Sequence, residues 1–269
     1  MMRMRAMVSA AIGVTVLLHP PGSAAGQAEM LVGMETADRN LISINPLPPT
    51  WEIIAFTGFD TSMTGLDYDP EKGTLYGSDI LSNRVFTIDT VTGEKTPLGP
   101  PGALGDVEVN GLAFDPVSDV LYGIDRPNNL LLTIDVMTGV GTLAATIPPA
   151  FSNLEGLAFD PGTRTLYGLE DGSNRIVSID PATGDTVVVV DGLPSGLWRG
   201  LTFSPAEDKL YATTVVQTTL YEIDPIAGSF SLLGPLSGAE AVHGLAVIPA
   251  PGSAVAVLGP AVLACRRRR

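Results

Sequence analysis

Cysteine is almost missing from this 269-residue sequence, in which Cys265 is the only one and lies near the C-terminal end. A lone thiol there excludes a disulfide framework and cysteine-based metal or redox chemistry in the rest of the chain. Histidine is nearly as scarce, with His19 near the N-terminus and His243 as the only one in the central part. No EF-hand loop and no HExxH spacing occurs. We therefore predict no dedicated metal site and no organic cofactor, with Ca²⁺ held by acidic oxygens as the one cofactor left open.

Basic residues are also few outside the two ends. Residues 1–28 and 250–269 contain six of the 15 Lys and Arg residues and no Asp or Glu. The part between them has nine basic against 29 acidic residues, a net charge of −20, compared with −14 for the whole chain. Such a surface repels nucleic acid and anionic lipid and favours solubility. Nucleic acid is therefore excluded as a partner.

The N-terminal segment has the organisation of an export signal. Arg3 and Arg5 form a basic start, residues 6–18 form an apolar core, and small residues within 23–28 offer a cleavage site. A retained membrane anchor is the alternative, but the apolar run is shorter than the roughly 20 residues that cross a bilayer. We predict a signal peptide over residues 1–28 and an exported protein.

The C-terminal segment has a second targeting pattern. Pro249-Ala250-Pro251 precedes an apolar run over 253–265, and Arg266 to Arg269 close the chain. Basic residues after an apolar segment indicate membrane insertion with the positive end inside. The order resembles the PEP-CTERM sorting signal, although Ala250 stands where that family usually has Glu. The resemblance implies exosortase-type sorting machinery as a partner of residues 249–269. It also implies the envelope or exterior of a Gram-negative-type bacterium, with membrane contact only through this segment.

Between the two ends the sequence repeats itself. Units begin at Gly65, Gly111, Gly156 and Gly200, with a last fragment at Gly244, in steps of 46, 45, 44 and 44 residues. Each unit contains Gly-Leu-x-aromatic, an Asp-Pro type turn, Leu-Tyr-Gly, Ile-Asp and a Gly-containing hairpin turn, which together read as four short strands. No helical period persists in any of them. This period is typical of a β-propeller blade, and we predict an all-β domain over residues 29–250.

The number of blades follows from the Leu-Tyr-Gly position, which occurs five times, first as Leu31-Val32-Gly33. The first copy has no preceding Gly-Leu strand, and the fragment at Gly244 has no strands after it. We predict five four-stranded blades, the first one split between residues 31–57 and 244–249, so that the ends close the ring. A β-helix or an open array is the alternative.

The units resemble those of bacterial YncE-like, NHL and DUF4394-type propellers, through Leu-Tyr-Gly and Ile-Asp-x-x-Thr-Gly. The resemblance implies the propeller scaffold and no particular activity. The aspartates of Ile-Asp recur in every full unit, which indicates structural turn residues: Asp89, Asp135, Asp180 and Asp224.

Candidate site residues are those at which the repeats differ. The residue before each Gly-Leu is polar but never the same: Thr64, Asn110, Glu155, Arg199 and His243. Because inner strands line the channel, we expect a ligand-binding ring at its mouth, to which Trp198 in the adjoining loop also belongs. The second strands return to the same face and should place a mostly acidic ring further out, as a negative rim: Glu35, Asp79, Asp125, Glu170 and Thr214. Variable loops between blades lie on this face as well.

Three functions fit this pattern. The first is a binding module for a small polar ligand, an extracellular glycan or a matrix component, in which changes at Glu155 or Arg199 alter binding with little loss of folding. The second is an enzyme, because the motifs around Asn110 and Glu155 resemble sites of propeller lactonases, lyases and glutaminyl cyclases. Glu155 or His243 would then be the acid/base and Arg199 an anion clamp. The third is a purely structural surface protein, in which Glu155 and Arg199 simply pair and Trp198 fills a gap.

Overall fold

The computed structural model describes residues 29–58 and 63–250, which form twenty β-strands. Within these ranges no helix is long and apolar enough to cross a membrane. The predicted signal peptide over 1–28 and the predicted sorting segment over 251–269 lie outside the described residues.

The strands are grouped in five four-stranded antiparallel sheets, which are the blades of a β-propeller. Blade 1 contains β1 (Glu29–Glu35), β2 (Asn40–Pro46) and β3 (Pro49–Phe56). Blade 2 contains β4 (Met63–Asp69), β5 (Thr74–Asp79), β6 (Arg84–Ile88) and β7 (Lys95–Pro97). Blade 3 contains β8 (Val109–Asp115), β9 (Val120–Asp125), β10 (Leu130–Ile134) and β11 (Gly141–Thr146). Blade 4 contains β12 (Leu154–Asp160), β13 (Thr165–Glu170), β14 (Arg175–Ile179) and β15 (Thr186–Val190). Blade 5 contains β16 (Trp198–Ser204), β17 (Lys209–Thr214), β18 (Thr219–Asp224) and β19 (Ser229–Pro235), and β20 (Val242–Pro249) completes blade 1.

The two ends of the propeller meet in one sheet. Strand β20 pairs antiparallel with β1, with Leu31 opposite Val247 and Val32 opposite Ala246, and the sheet order is β20-β1-β2-β3. The predictions of five blades and of a split first blade are therefore confirmed. Joining the first and last strands removes the two free edges that an open arrangement of blades would expose.

The glycine before each inner leucine is required by the contact between neighbouring blades. A Cβ atom on Gly111 of β8 would lie 2.7 Å from the backbone nitrogen of Leu157 in the next blade. At the ring closure, a Cβ on Gly244 would lie 2.8 Å from Leu66 Cβ, and this glycine has a φ of +56°. A side chain at either position would force the inner strands apart. The Gly-Leu pair thus repeats because it sets the spacing of the blades around the axis.

Apolar packing between blades uses the other repeated residues. The tyrosine of Leu-Tyr-Gly in one blade contacts the aromatic residue of the inner strand in the next, with ring centroids 6.0 Å apart for Tyr76 and Phe114 and 6.3 Å apart for Tyr122 and Phe159. Aromatic pairs at such distances add to the energy of burial. Each blade therefore packs against both of its neighbours. The core consists of hydrophobic clusters between adjacent sheets, arranged in a ring.

The recurring aspartates of Ile-Asp are turn residues, as predicted. In blade 3, Asp135 Oδ1 accepts hydrogen bonds from the backbone nitrogens of Met137 at 2.8 Å and Thr138 at 3.0 Å. Asp89, Asp180 and Asp224 accept equivalent bonds in the other full repeats. Such side-chain bonds satisfy backbone donors that the hairpin leaves unpaired.

Candidate functional site

The five predicted inner residues lie at β-bulges of the innermost strands. In β8 the register to β9 shifts between Val109 and Gly111, so that Asn110 has no partner of its own. Equivalent shifts occur at Thr64, Glu155 and Arg199 and beside His243. A bulge interrupts the alternation of side chains along a strand and can re-aim one of them. Because the shift occurs at the same end of every inner strand, the structure places all five residues at one end of the channel.

Glu155 is the centre of the contacts in this ring. Its Oε2 accepts a hydrogen bond from Asn110 Nδ2 at 3.3 Å, and its Oε1 lies 2.8 Å from Arg126 Nε and 3.1 Å from Arg199 Nη1. Glu155 itself is only 1% exposed. One buried carboxylate therefore connects blades 3, 4 and 5.

The two arginines form the outer surface of this cluster. The side chains of Arg126 and Arg199 are 37% and 20% exposed. Arg199 Nη1 also donates to the Trp198 carbonyl oxygen at 2.7 Å and to Asp171 Oδ2 at 3.4 Å. With these N–H bonds directed elsewhere, Arg199 stabilises Glu155 by charge attraction more than by a directed hydrogen bond, and Glu155 Oε1 has no hydrogen bond of good geometry among the described residues.

Besides Glu155 Oε1, which has its two ion pairs, two buried polar atoms at the mouth have no hydrogen-bond partner in the part of the chain that the structure describes. They are Asn110 Oδ1 and His243 Nδ1. Asn110 is 6% exposed, and its amide is oriented across the blade boundary by the bond from Nδ2 to Glu155. Buried polar atoms in folded proteins nearly always have a partner, and each exception needs an explanation. Here the exceptions occur on two of the five residues that the repeat pattern predicts.

The charge states at the mouth follow from burial and from the arginines. Burial raises the pKa of Glu155 above the usual glutamate value, while the charges of Arg199 and Arg126 oppose this shift. Burial, and to a smaller extent the charge of Arg199, lowers the pKa of His243 to about 4. The imidazole of His243 is therefore neutral near pH 7. Arg126, Arg199, Glu155 and Asp171 together carry no net charge.

Thr64, the fifth inner residue, belongs to the wall of the mouth. Its Oγ1 donates to the Val109 carbonyl oxygen at 3.0 Å and lies 3.4 Å from Ser78 Oγ. The bond to Val109 joins blade 2 to blade 3 immediately before Asn110. Thr64 therefore fixes the strand that carries Asn110, and its own hydroxyl is already used.

The predicted outer ring lies at the ends of the second strands, but it does not form an exposed acidic rim. All five members are buried: Glu35, Asp79, Asp125, Glu170 and Thr214. Asp79 Oδ1 accepts a bond from Leu81 N at 2.9 Å, and Asp125 Oδ2 accepts one from Asn128 Nδ2 at 2.7 Å. The expectation of a negative rim is corrected on this point, because these side chains close the hairpins between the second and third strands.

Trp198 was expected to take part in ligand binding, and the structure places it in the core. It is fully buried, its ring centroid lies 4.9 Å from that of Tyr221, and its Nε1 lies 3.2 Å from both Asn174 Oδ1 and the Pro194 carbonyl oxygen. A buried indole with its N–H bonded in this way is a packing residue. Only the Trp198 carbonyl, which holds Arg199, contributes to the mouth.

Two residues of the cluster, Arg126 and Asp171, are not among the predicted site residues. Each directly follows an outer-ring position, at the first residue beyond the second strand. The equivalent residues in the five repeats again differ: Thr36, Ile80, Arg126, Asp171 and Val215. The inner ring was predicted from equivalent positions at which the repeats carry different polar residues. The same comparison, made at the residue after each outer-ring position, indicates Arg126 and Asp171.

A further unpredicted acid, Asp67, lies deeper in the channel. The other inner strands have small residues at this position: Ala113, Ala158, Thr202 and Ala246. Asp67 Oδ2 accepts a hydrogen bond from Phe114 N at 2.6 Å, which places the carboxyl at the free edge of β8 that faces the axis. Water reaches part of the side chain, yet the surrounding protein desolvates the carboxyl and raises the pKa of Asp67 to about 7.

Neither a metal cluster nor the neighbouring groove coincides with the mouth cluster. Within 29–58 and 63–250, no group of three His, Cys, Asp or Glu side chains is arranged to hold a metal ion. A groove of about 630 Å³ lies beside the mouth, between the loop at 215–218 and the loop at 235–241. Residues of these two loops line it, and none of the five inner residues does.

No protein-family model and no curated protein matches this chain. Among solved structures, a chain in the crystal structure of a nidogen/laminin complex is similar, with 13% identity, a TM-score of 0.55 and coverage of 82% of this chain and 98% of that one. A structural-genomics protein of unknown function from Bacteroides thetaiotaomicron is 13% identical, with a TM-score of 0.56 and coverage of 83% and 71%.

Virginiamycin B lyase from Staphylococcus aureus is 15% identical, with a TM-score of 0.48 and coverage of 78% of this chain and 67% of that one. The two likenesses with a TM-score above 0.5 show a shared fold, and at 13% identity they transfer no residue role. The site must be interpreted from its own chemistry.

Proposed function

We propose that this protein is an exported, envelope-associated β-propeller that binds a small polar ligand, a glycan or a matrix component at its channel mouth. The observation that carries the proposal is the pair of buried, unpartnered acceptors on Asn110 and His243. Asn110 lies within a bulge and His243 directly before one, and the equivalent positions of the other repeats carry different side chains. Converging polar groups on a rigid scaffold are how pockets fix the orientation of a ligand.

The geometry favours binding over catalysis. Glu155, the acid/base in the enzyme hypothesis, lies against two guanidinium groups and accepts a bond from Asn110. The two guanidinium groups stabilise the ionised carboxylate, whereas burial raises its pKa above the usual glutamate value, so proton affinity does not separate the two hypotheses. The ion pairs with Arg126 and Arg199 nevertheless occupy Oε1, the oxygen that would otherwise be available to a substrate proton. His243 is neutral, but a pKa of about 4 makes it a weak base at neutral pH. Lactonase, lyase or cyclase chemistry is therefore the less favoured alternative.

Export and attachment are supported by the ends of the chain and by its charge. The basic and apolar pattern of residues 1–28 fits a signal peptide, and the pattern of residues 249–269 fits substrate recognition by exosortase-type sorting machinery. The strongly acidic middle part keeps a surface protein soluble and discourages association with anionic lipid. One structural neighbour is a chain of a nidogen/laminin complex, which gives a precedent for this fold in a protein that takes part in a complex.

A purely structural role is the second candidate, favoured by the burial of the inner residues. Glu155, Asn110 and Thr64 are all buried, and each contacts a residue of a neighbouring blade. The two hypotheses differ in what they expect of the exposed arginines. A spacer protein needs Arg126 only for its ion pair, whereas a binding protein also presents it to a ligand.

Retention of the purified protein on immobilised envelope polysaccharide and matrix fractions tests the proposal. The comparison is with Arg126→Ala, which removes an exposed guanidinium, and with Lys95→Ala, a basic residue of the outer strand β7. We expect retention of the native protein and of Lys95→Ala and loss of retention for Arg126→Ala. Failure of every fraction to retain the native protein would favour the structural role.

A further inference from the structure

The mouth contains both hydrogen-bond donors and hydrogen-bond acceptors. The donors are the N–H groups of the partly exposed Arg126 and Arg199. Asn110 Oδ1 is an acceptor, and His243 Nδ1 is one when the neutral ring carries its proton on Nε2. A ligand group that only accepts hydrogen bonds would leave the two buried acceptors unpaired. A group that only donates would be directed against the guanidinium groups. A hydroxyl group can donate and accept at once, and it satisfies both kinds of partner.

The charges of the cluster balance one another, which also favours an uncharged ligand. The positive charges of Arg126 and Arg199 are already balanced by Glu155 and Asp171. The next acid along the chain, Asp125, is fully buried beside Arg126 and adds negative charge behind the mouth. An anionic ligand therefore finds no uncompensated positive charge, and a cationic ligand meets the two arginines first. An uncharged ligand loses least on entering.

From these two observations we infer that the mouth recognises an uncharged, hydroxyl-rich ligand, chemically a neutral sugar unit. Its hydroxyls donate to Asn110 Oδ1 and His243 Nδ1 and accept from Arg126 and Arg199. The inference rests on the proposed binding function and specifies its ligand class. A free monosaccharide and the end of a polysaccharide share this chemistry, and the experiment separates the two sources.

The test compares three sugars that share one ring but differ in charge: neutral glucose, anionic glucuronate and cationic glucosamine. Galactose and mannose, each with its charged counterparts, form two further sets. Binding to the full-length purified protein is measured by ligand-observed NMR and calorimetry, alongside oligosaccharides of each neutral sugar. We expect at least one neutral sugar or its oligomer to bind more tightly than both charged counterparts. Preference for the oligomer would identify a polysaccharide end as the source.

The variants test whether the buried acceptor is used. Asn110→Ala should weaken binding roughly 3- to 10-fold, the effect of one neutral hydrogen bond. Asn45→Ala changes an exposed asparagine near the end of β2, and this matched control should leave affinity unchanged. Arg126→Ala should also weaken binding and, because Arg126 is well exposed, serves where Asn110→Ala does not fold.

The result that overturns the inference is tighter binding of a uronate or an amino sugar, or equal affinity of native protein, Asn110→Ala and Arg126→Ala. A panel of amino acids and short peptides, run with the same variants, separates this failure from that of the proposed function. If such a non-sugar ligand binds and the variants weaken it, the mouth is a binding site and only the neutral-sugar inference is wrong. If no compound of either panel binds, both are overturned.

Discussion

Asn110 of blade 3 donates a hydrogen bond from Nδ2 to Oε2 of Glu155 in blade 4, across 3.3 Å and 45 residues of sequence. One repeat separates the two residues, so this bond joins two copies of the same position. An ion pair joins Glu155 to Arg199 in blade 5, with Oε1 and Nη1 3.1 Å apart. The mouth is therefore one connected network, in which a change at one member alters its neighbours.

Glu155 should matter for stability as well as for binding, contrary to the expectation that folding hardly depends on it. Glu155→Gln removes the charge that compensates Arg126 and Arg199 while keeping the shape of the side chain. Because both arginines are partly exposed, we expect a loss of about 1–2 kcal/mol in the free energy of unfolding, measured by urea denaturation. Glu240→Gln, in an exposed loop on the same face, is the control. Equal stability of the two variants would show that the ion pairs are not important for folding.

The glycines of the inner strands should tolerate no side chain. Gly111→Ala places a methyl group 2.7 Å from Leu157 N, and a backbone atom cannot move aside as a side chain can. We expect a loss on the order of 3 kcal/mol in calorimetric or denaturant unfolding. Gly172→Ala is the matched control, because its methyl group would meet only the end of the Asn153 side chain at 3.2 Å. Similar losses in both variants would refute the spacing role of the Gly-Leu motif.

Glu29 of blade 1 takes the role of a turn-capping aspartate that blade 5 lacks. In blade 3, Asp115 Oδ1 accepts from Val117 N at 2.9 Å, but blade 5 has Ser204 at the equivalent position. There Glu29 of β1 bonds to Ser204 Oγ at 2.6 Å and to Ala206 N at 3.2 Å.

Glu29→Ala should therefore cost about 1–2 kcal/mol in the free energy of unfolding. Adding Ser204→Asp should recover part of that loss by restoring a cap within the blade. The measurement is a double-mutant cycle of unfolding in denaturant. Additive effects of the two changes would contradict the claim that Glu29 takes the role of the missing aspartate.

Asp67 should make the protein less stable as the pH rises towards neutrality. An unfolded aspartate titrates near pH 4, whereas burial raises the pKa of Asp67 in the folded protein to about 7. Between these values the folded protein binds more protons than the unfolded chain, so the free energy of unfolding falls with rising pH.

Asp67→Asn keeps the acceptor for Phe114 N and removes the titration. We expect it to stabilise the protein by on the order of 2 kcal/mol at about pH 8 and to have little effect near pH 4. Denaturant curves at both pH values check this, with Asp106→Asn in an exposed loop as the control. A gain independent of pH would mean that Asp67 does not titrate in this range.

Repetition explains how much of the fold could be predicted. The glycine of Gly-Leu and the aspartate of Ile-Asp recur because every blade faces the same steric and hydrogen-bonding problem, and the structure confirms both roles at Gly111 and Asp135. The number of blades followed because β20 and β1 each carry one part of a unit.

The site was less predictable because a repeat shows where residues differ and not how their side chains pair. The position of Glu155 was apparent, but its partner Arg126 belongs to the following turn of another blade. Asp79 and Asp125 look like surface acids in the sequence, and they are buried because the adjacent hairpins supply donors. Trp198 lies next to Arg199 in sequence but points into the core. In each case the deciding contact is with a residue outside the repeated motif.

The central claim is that the mouth binds a ligand through its unpartnered acceptors, and His243 permits a direct test. It is the only histidine within residues 29–250, so [¹⁵N]histidine labelling reports a single imidazole from the propeller. Because burial lowers its pKa to about 4, the signal should remain that of a neutral ring from about pH 5.5 to 8. Adding an envelope polysaccharide fraction that retains the protein should shift the Nδ1 resonance, and Arg126→Ala should reduce that shift. An Nδ1 resonance that stays unchanged while the protein is retained would place binding elsewhere and contradict the account.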